Sequence, residues 1–177
     1  QTNILASLMC AEDCMDDGFV CTYADILYRP EVVRRALEHE AEAVLCVDTH
    51  WRTRYAHRSQ HPEDDAEKVT ADGDRITRIN RTIPSHEADG EYIGVARFSA
   101  QASDQLRRTY HDVRERLGDE PWKAGAPFPK AYLIHLYEEM LEAGHDFHMV
   151  TTDGQYMEVD TEEDFELANQ RWPKLYG

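Results

Sequence analysis

The sequence predicts an α/β fold with a parallel sheet, and three observations carry that expectation. Residues 19–26 (FVCTYADI) and 43–49 (AVLCVDT) are nearly continuous apolar runs, as strands buried on both faces are. A helix-period segment lies between them, so strand, helix and strand follow one another within about thirty residues, the span of a βαβ unit. Two aspartates, Asp25 and Asp160, each end a strand-like run just before a helix-like one. In α/β sheets that carboxyl end of the strands is where ligands bind.

Taken in order, residues 3–15 repeat Ile4, Leu5, Leu8, Met9 and Ala11 on one helical stripe, and Asp16-Asp17-Gly18 stops it. After the first strand, Pro30 opens a helix at a permitted first-turn position, with Val32, Val33, Ala36 and Leu37 as its buried face. Residues 50–67 are polar and aperiodic, a functional loop. Residues 68–80 alternate around Asp72-Gly73, a hairpin signal. A strand over 92–98 and a helix over 99–117 ending at Gly118 follow, then a Pro-rich loop over 119–129. Leu133, Leu136, Tyr137, Met140 and Leu141 mark a helix over 130–143. Short strands 147–150 and 156–159 flank Asp153-Gly154. Thr161, with Asp164 three residues on, caps the last helix. With no repeat, low-complexity segment or linker, one domain over 1–177 is expected.

The bulk numbers exclude several classes. Hydrophobic residues make up 41%, a globular rather than a disordered balance. No apolar run is long enough to span a bilayer, and no charged-then-apolar signal segment opens the chain, so a soluble, cytoplasmic protein with no membrane partner is expected. A formal charge of −16 argues against wrapping nucleic acid, which needs cations to displace counterions. It is compatible with a small nucleotide, because a metal and a few local cations decide that binding. Cys10, Cys14, Cys21 and Cys46 show no CxxC pairing and read as reduced, buried thiols. His50, His57 and His61 match no zinc spacing and read as surface-loop histidines.

Asp25 and Asp160, with Glu158 on the same strand face as Asp160, offer the hard oxygen donors that Mg²⁺ prefers. The same aspartates also fit an ordinary strand end and an ordinary helix start. Lys68 is one of only four lysines and opens the hairpin; it suits a phosphate, or balances Glu63, Asp64, Asp65 and Glu67 at the surface. Trp51 and Tyr92 are the aromatics placed to face a cationic acceptor, although aromatics more often build cores. Asp48 pairs a cationic amine or caps the loop.

The run NILASLMCAED, FVCTYADILYRPEVV, AVLCVDTHW, DDAEKVTADGDRITRI, DGEYIGVARFS, KAYLIHLYEEMLEAG and YMEVDTEEDFELA resembles the nucleotidyltransferase superfamily, and within it the phosphocholine cytidylyltransferase-like members and the cytidylyltransferase domains that accompany phosphonate-biosynthesis mutases. The resemblance implies a Rossmann-like three-layer α/β sandwich with a mixed, mostly parallel sheet. It implies transfer of CMP from CTP to a small phosphorylated or phosphonate acceptor, of phosphocholine or aminoethylphosphonate type, with release of pyrophosphate. It further implies that Asp25 and Asp160 bind Mg²⁺ with Glu158 as a third ligand, and that Lys68 reaches the acceptor's phosphate. Asn3, Ser7 and Ala24 then lie near the nucleotide. A mutase domain, fused or associated, and a second copy of the chain in a homo-oligomer are the partners the resemblance implies.

One departure stands out. Such enzymes open with a strand and a Gly-rich loop bearing Arg and Lys that cradles the triphosphate, and the sequence holds no such loop. The chain therefore reads as the later two-thirds of the family fold. This keeps two alternatives open: an inactive or truncated nucleotidyltransferase-like binding module, and a sugar-1-phosphate nucleotidyltransferase using UTP or dTTP.

Overall fold

The structure is a computed structural model that describes residues 3–56, 58–118, 120–125 and 127–176. The chain runs through α1 (Ile4–Met9), β1 (Phe19–Thr22), β2 (Ile26–Tyr28), α2 (Pro30–Glu38), β3 (Ala43–Asp48), α3 (Trp51–Tyr55), β4 (Lys68–Asp72), β5 (Arg75–Ile79), β6 (Gly90–Phe98), α4 (Ala100–Leu117), α5 (Leu133–Glu142), β7 (His148–Thr152), β8 (Tyr156–Glu158) and α6 (Glu162–Tyr176). Six strands form one mixed sheet in the order β1-β6-β3-β7-β5-β4, and β4 also pairs with the start of β6. Strands β1, β3, β7 and β4 run one way, β6 and β5 the other. The hydrogen-bonded parallel neighbours are β3 and β7; the other pairs are antiparallel.

Strand β3 lies at the centre because every one of its side chains is apolar or internally paired, and all six residues are buried. Alternation splits them between the two faces. Leu45 and Val47 join Tyr92, Phe98, Leu106, Tyr137 and Phe147 under α4 and α5, while Val44 and Cys46 join Ile93 and Val95 under Val32 and Ala36 of α2. Helices on both faces of a central sheet are the three-layer arrangement that the resemblance implies. Leu37, expected on the buried face of α2, is 56% exposed instead.

The strand expected over 19–26 is divided. Tyr23 N–H still bonds Gly94 O at 2.9 Å, but the chain then leaves the main sheet, and β2 pairs antiparallel with β8 in a separate two-stranded sheet. Gly94 makes the exit possible. Its φ is +74°, and a Cβ there would stand 2.4 Å from the Tyr23 ring, so only glycine lets the ring lie on β6. The βαβ expectation is met in direction, with β6 inserted between β1 and β3.

Other elements are shorter than the periodicity implied. The 3–15 stripe is α1 followed by a 3₁₀ turn at Glu12–Cys14, and the 130–143 stripe starts helical only at Leu133. The polar segment 50–67 contains α3 and a 3₁₀ turn at Glu63–Asp65. The cap of α6 is reciprocal as expected: Asp164 N–H donates to Thr161 Oγ1 at 3.1 Å and Thr161 N–H to Asp164 Oδ2 at 3.0 Å. Among the described residues no helix is long and apolar enough to cross a membrane.

Candidate active site

The β2–β8 ladder brings the two aspartate-bearing turns together. Ile26 pairs with Glu158, and one step further Val159 N–H donates to Asp25 O at 2.8 Å. Asp25, Glu158 and Asp160 consequently line one cavity of about 310 Å³, together with Asn3, Tyr23, His61, Glu67, Arg81, Glu91, Tyr92 and Tyr132. One imidazole nitrogen of His61 and one oxygen each of Glu158 and Asp160 all lie within 4.8 Å of one another.

The cavity is strongly acidic. Burial, then the neighbouring Asp160 and Glu91 carboxylates, push the Glu158 carboxyl up to about 8. Burial also lifts Glu67 and Glu91 above the ordinary carboxylate range, against the opposing pull of Arg81 and Arg54 respectively. Tyr23 OH donates to Glu67 Oε2 at 2.9 Å, and Tyr55 OH to Glu91 Oε1 at 2.6 Å. Arg54 bridges Asp48 and Glu91 in close contacts and lies 4.4 Å over the Tyr156 ring.

Two arginines organise this charge, and neither carries a local sequence signal. Arg58 grips Asp164 with two parallel bonds, Nε to Oδ1 at 2.6 Å and Nη2 to Oδ2 at 2.9 Å, and reaches Glu158 at 3.2 Å and Asp160 at 3.5 Å. Asp164 in turn accepts from the Asp160 and Thr161 N–H groups. The turn bearing Asp160 is thereby fastened to the 51–65 segment. Arg81 is the Arg or Lys lining the cavity among the described residues. It stacks 4.0 Å over Tyr132 and holds Glu67 at 3.3 Å, and its buried Nε has no hydrogen-bond partner.

Several expected site residues lie elsewhere. Lys68 is 2% exposed, and its Nζ donates to Arg81 O at 2.6 Å and Asp64 O at 3.4 Å. Pairing of β4 with β6 buries it, and it braces the segment carrying Arg81 rather than opening onto the cavity. Trp51 is 2% exposed against Tyr55 and Ala66, so it presents no face to a ligand. Asp48 is fully buried and caps the loop, Oδ1 accepting from His50 N–H at 2.8 Å and Gly154 N–H at 3.1 Å. Ser7 donates to Asn3 O at 3.2 Å and does not line the cavity; Ala24 is exposed beside Asp25. Asn3 lines the cavity, though its Oδ1 caps α1 and its Nδ2 donates to Lys130 O at 3.1 Å.

The thiols and histidines also differ from expectation. Cys46 is buried, but Cys10 and Cys14 are exposed because the helix expected over 3–15 ends early. His61 is not a loose surface histidine: its Nδ1 sits 3.0 Å from Asp160 Oδ2. His57 lies outside the described residues.

No protein-family model matches the chain. In sequence it is similar to the CTP:phosphoglutamine cytidylyltransferase of Campylobacter jejuni, 24% identical over 178 residues that cover 97% of this chain and 69% of the relative. In structure it is similar to the inositol-1-phosphate CTP transferase from T. maritima (TM-score 0.64, 16% identity, 92% of this chain and 58% of that one). It is similar to the CTP:phosphocholine cytidylyltransferase from Streptococcus pneumoniae (TM-score 0.65, 13% identity, 96% and 63%). A third solved structure, a putative glucose-1-phosphate thymidylyltransferase from Bacillus anthracis, gives a TM-score of 0.65 at 10% identity over 96% and 61%. The chain thus spans about three-fifths of the length of these solved structures. In fold the chain is similar to these nucleotidyltransferase structures, and in sequence it is similar to a cytidylyltransferase.

Proposed function

We propose that the protein transfers CMP from CTP to a small phosphorylated or phosphonate acceptor and releases pyrophosphate. The observation that carries this reading is the convergence of Asp25 with Glu158 and Asp160, distant in sequence, on one cavity at the ends of paired strands. The acceptor's phosphate or phosphonate oxygen is already anionic near neutral pH, so it needs no general base. It attacks the α-phosphorus of CTP in line; the new O–P bond forms as the bond to pyrophosphate breaks. The chain's task is to hold the two anions together.

Asp25, Asp160 and Glu158 are the residues that would hold Mg²⁺. The donors suit it in kind, being hard oxygens, and Glu158 is driven toward protonation by burial beside Asp160, a crowding that a divalent cation relieves. Glu158 and Asp160 come within 4.8 Å of each other beside His61, a group that does not include Asp25, which lines the same cavity. Such a cation supplies charge stabilisation to the transferring phosphoryl group. Arg81, which lines the cavity and whose buried Nε has no hydrogen-bond partner, is suited to bind a phosphate oxygen. Tyr23 and Tyr92, edge to face at 5.9 Å, and the buried carboxylates Glu67 and Glu91 suit the cationic end of an acceptor of phosphocholine or aminoethylphosphonate type.

The test is pyrophosphate release by the protein expressed with its natural ends, with CTP, UTP or dTTP and a panel of phosphocholine, aminoethylphosphonate, phosphoglutamine and glucose-1-phosphate. Turnover with CTP and an amine-bearing acceptor is expected. Preference for UTP or dTTP with glucose-1-phosphate would replace this reading by the sugar one, and silence throughout by the binding-module one.

Arg81→Ala is expected to raise the apparent acceptor or CTP KM about 10- to 100-fold, the worth of a charge-assisted hydrogen bond. Arg81→Lys should recover part of that while keeping Glu67 paired. Unchanged KM values in a folded Arg81→Ala variant would remove Arg81 from phosphate binding.

A further inference from the structure

His39, Asp74 and His148 form a second cluster that the reaction does not use. His39 follows the last turn of α2, Asp74 sits in the β4–β5 turn and His148 opens β7. Strand β7 runs parallel to β3, with His148 beside Val44 and Thr152 beside Asp48. The cluster therefore lies at the opposite end of these strands from Asp48 and its Arg54–Glu91 network, and none of its members lines the active-site cavity.

We propose that His39 Nε2, His148 Nδ1 and Asp74 Oδ2 form a binding site for a Zn²⁺-class divalent cation, separate from the phosphoryl-transfer site. Three features support it. The oxygen of Asp74 stands 3.2 Å from His39 Nε2 and 3.3 Å from His148 Nδ1, and one ligand atom from each of the three residues lies within 4.8 Å of the other two. Bonds of about 2.0–2.1 Å in a tetrahedron place neighbouring ligands about 3.3 Å apart, so the two measured edges already have the required length. His148 Nδ1 is buried and has no hydrogen-bond partner, although it lies 3.3 Å from the same carboxylate oxygen.

Imidazole pairs suit Zn²⁺, Ni²⁺, Co²⁺ and Cu²⁺ rather than Mg²⁺, and three protein ligands leave a fourth position to water. Binding has a definite proton balance. His39 Nδ1 now accepts from Ala41 N–H at 3.1 Å, which puts the neutral ring's proton on Nε2. A cation at Nε2 moves that proton to Nδ1, and the Ala41 bond is given up. That loss keeps the site weaker than a closed structural zinc centre, and a ring already free at Nδ1 would bind more tightly.

The experiment is a calorimetric Zn²⁺ titration of the protein in excess Mg²⁺, with Co²⁺ as a spectroscopic probe. One Mg²⁺-resistant equivalent of Zn²⁺ is expected, and Co²⁺ should develop the visible bands of a four-coordinate ion. His148→Ala and Asp74→Asn should each weaken Zn²⁺ by more than the roughly 10- to 100-fold that outer-sphere partners cost. His39→Gln, at a partly exposed helix end, gives the same reading should His148→Ala fail to fold. Asp160→Asn, which disables the His61–Glu158–Asp160 group, should leave this equivalent in place. Absence of Mg²⁺-resistant binding, or binding lost in Asp160→Asn and kept in His148→Ala, would overturn the proposal without touching the proposed transferase activity.

Discussion

Asp25→Asn is expected to lower turnover about a thousandfold or more while the melting temperature stays within a degree or two. The neutral amide removes one of the anionic ligands proposed for the cation, and charge stabilisation of a transferring phosphoryl group is worth several kcal/mol, each 1.36 kcal/mol being a factor of ten in rate. Stability should hardly respond, because Asp25 is exposed and its backbone carbonyl, which Asn also has, makes the bond to Val159. Mn²⁺ affinity measured by electron paramagnetic resonance should fall in parallel. A large drop in melting temperature with turnover retained would make Asp25 a structural residue and sink its assignment as a ligand.

Arg58→Met should have the largest effect on stability of any single change around the cavity. The Arg58 side chain is 6% exposed and its partner Asp164 2%, so truncation leaves a buried carboxylate without its bidentate cation. Breaking a buried pair in this way costs about 3–5 kcal/mol, which in a domain of this size lowers the melting temperature by roughly 10 °C or more. Burial raises the Asp164 carboxyl pKa, but the bonds from Arg58 and Thr161 outweigh it and hold it below the ordinary range. A depressed pKa contributes stability that is complete above the unfolded value and is lost as pH falls through the folded one. The gap between wild type and Arg58→Met should therefore narrow in acid, and Arg58→Met combined with Asp164→Leu should recover part of the loss at neutral pH. A gap that is independent of pH would show that Arg58 acts by packing alone.

Much of the architecture is legible in the sequence because it is local. The apolar run of β3, the Leu133–Met140 stripe of α5 and the Thr161–Asp164 cap depend on residues a few positions apart, and each forms as its period implies. The convergence of Asp25 with Asp160 is legible for a different reason, since both sit where α/β strands present ligands. What escapes depends on partners distant in the chain. The break after Thr22 needs Gly94 of a strand some seventy residues later to receive the Tyr23 ring. Trp51 reads as an accessible aromatic until Tyr55 and Ala66 close over it, and Lys68 reads as a free cation until Arg81 O and Asp64 O take its ammonium. Arg58 and Arg81 are each one of several arginines in their segments, and no periodicity singles them out.

The β2–β8 ladder has a consequence for motion. The two turns that carry Asp25 and Asp160 are joined by three residue pairs, from Ile26–Glu158 to Tyr28–Tyr156, set apart from the six-stranded sheet. A two-stranded ribbon of that length is marginal by itself and opens by local fluctuation far more often than a central strand. Amide hydrogens of Leu27 and Met157 should accordingly exchange with solvent orders of magnitude faster than those of Leu45 and Cys46. The spacing of the acidic pair is thus governed by a small hinge that can breathe while the rest of the sheet stays closed, and anything that grips both turns would register first as slowed exchange there.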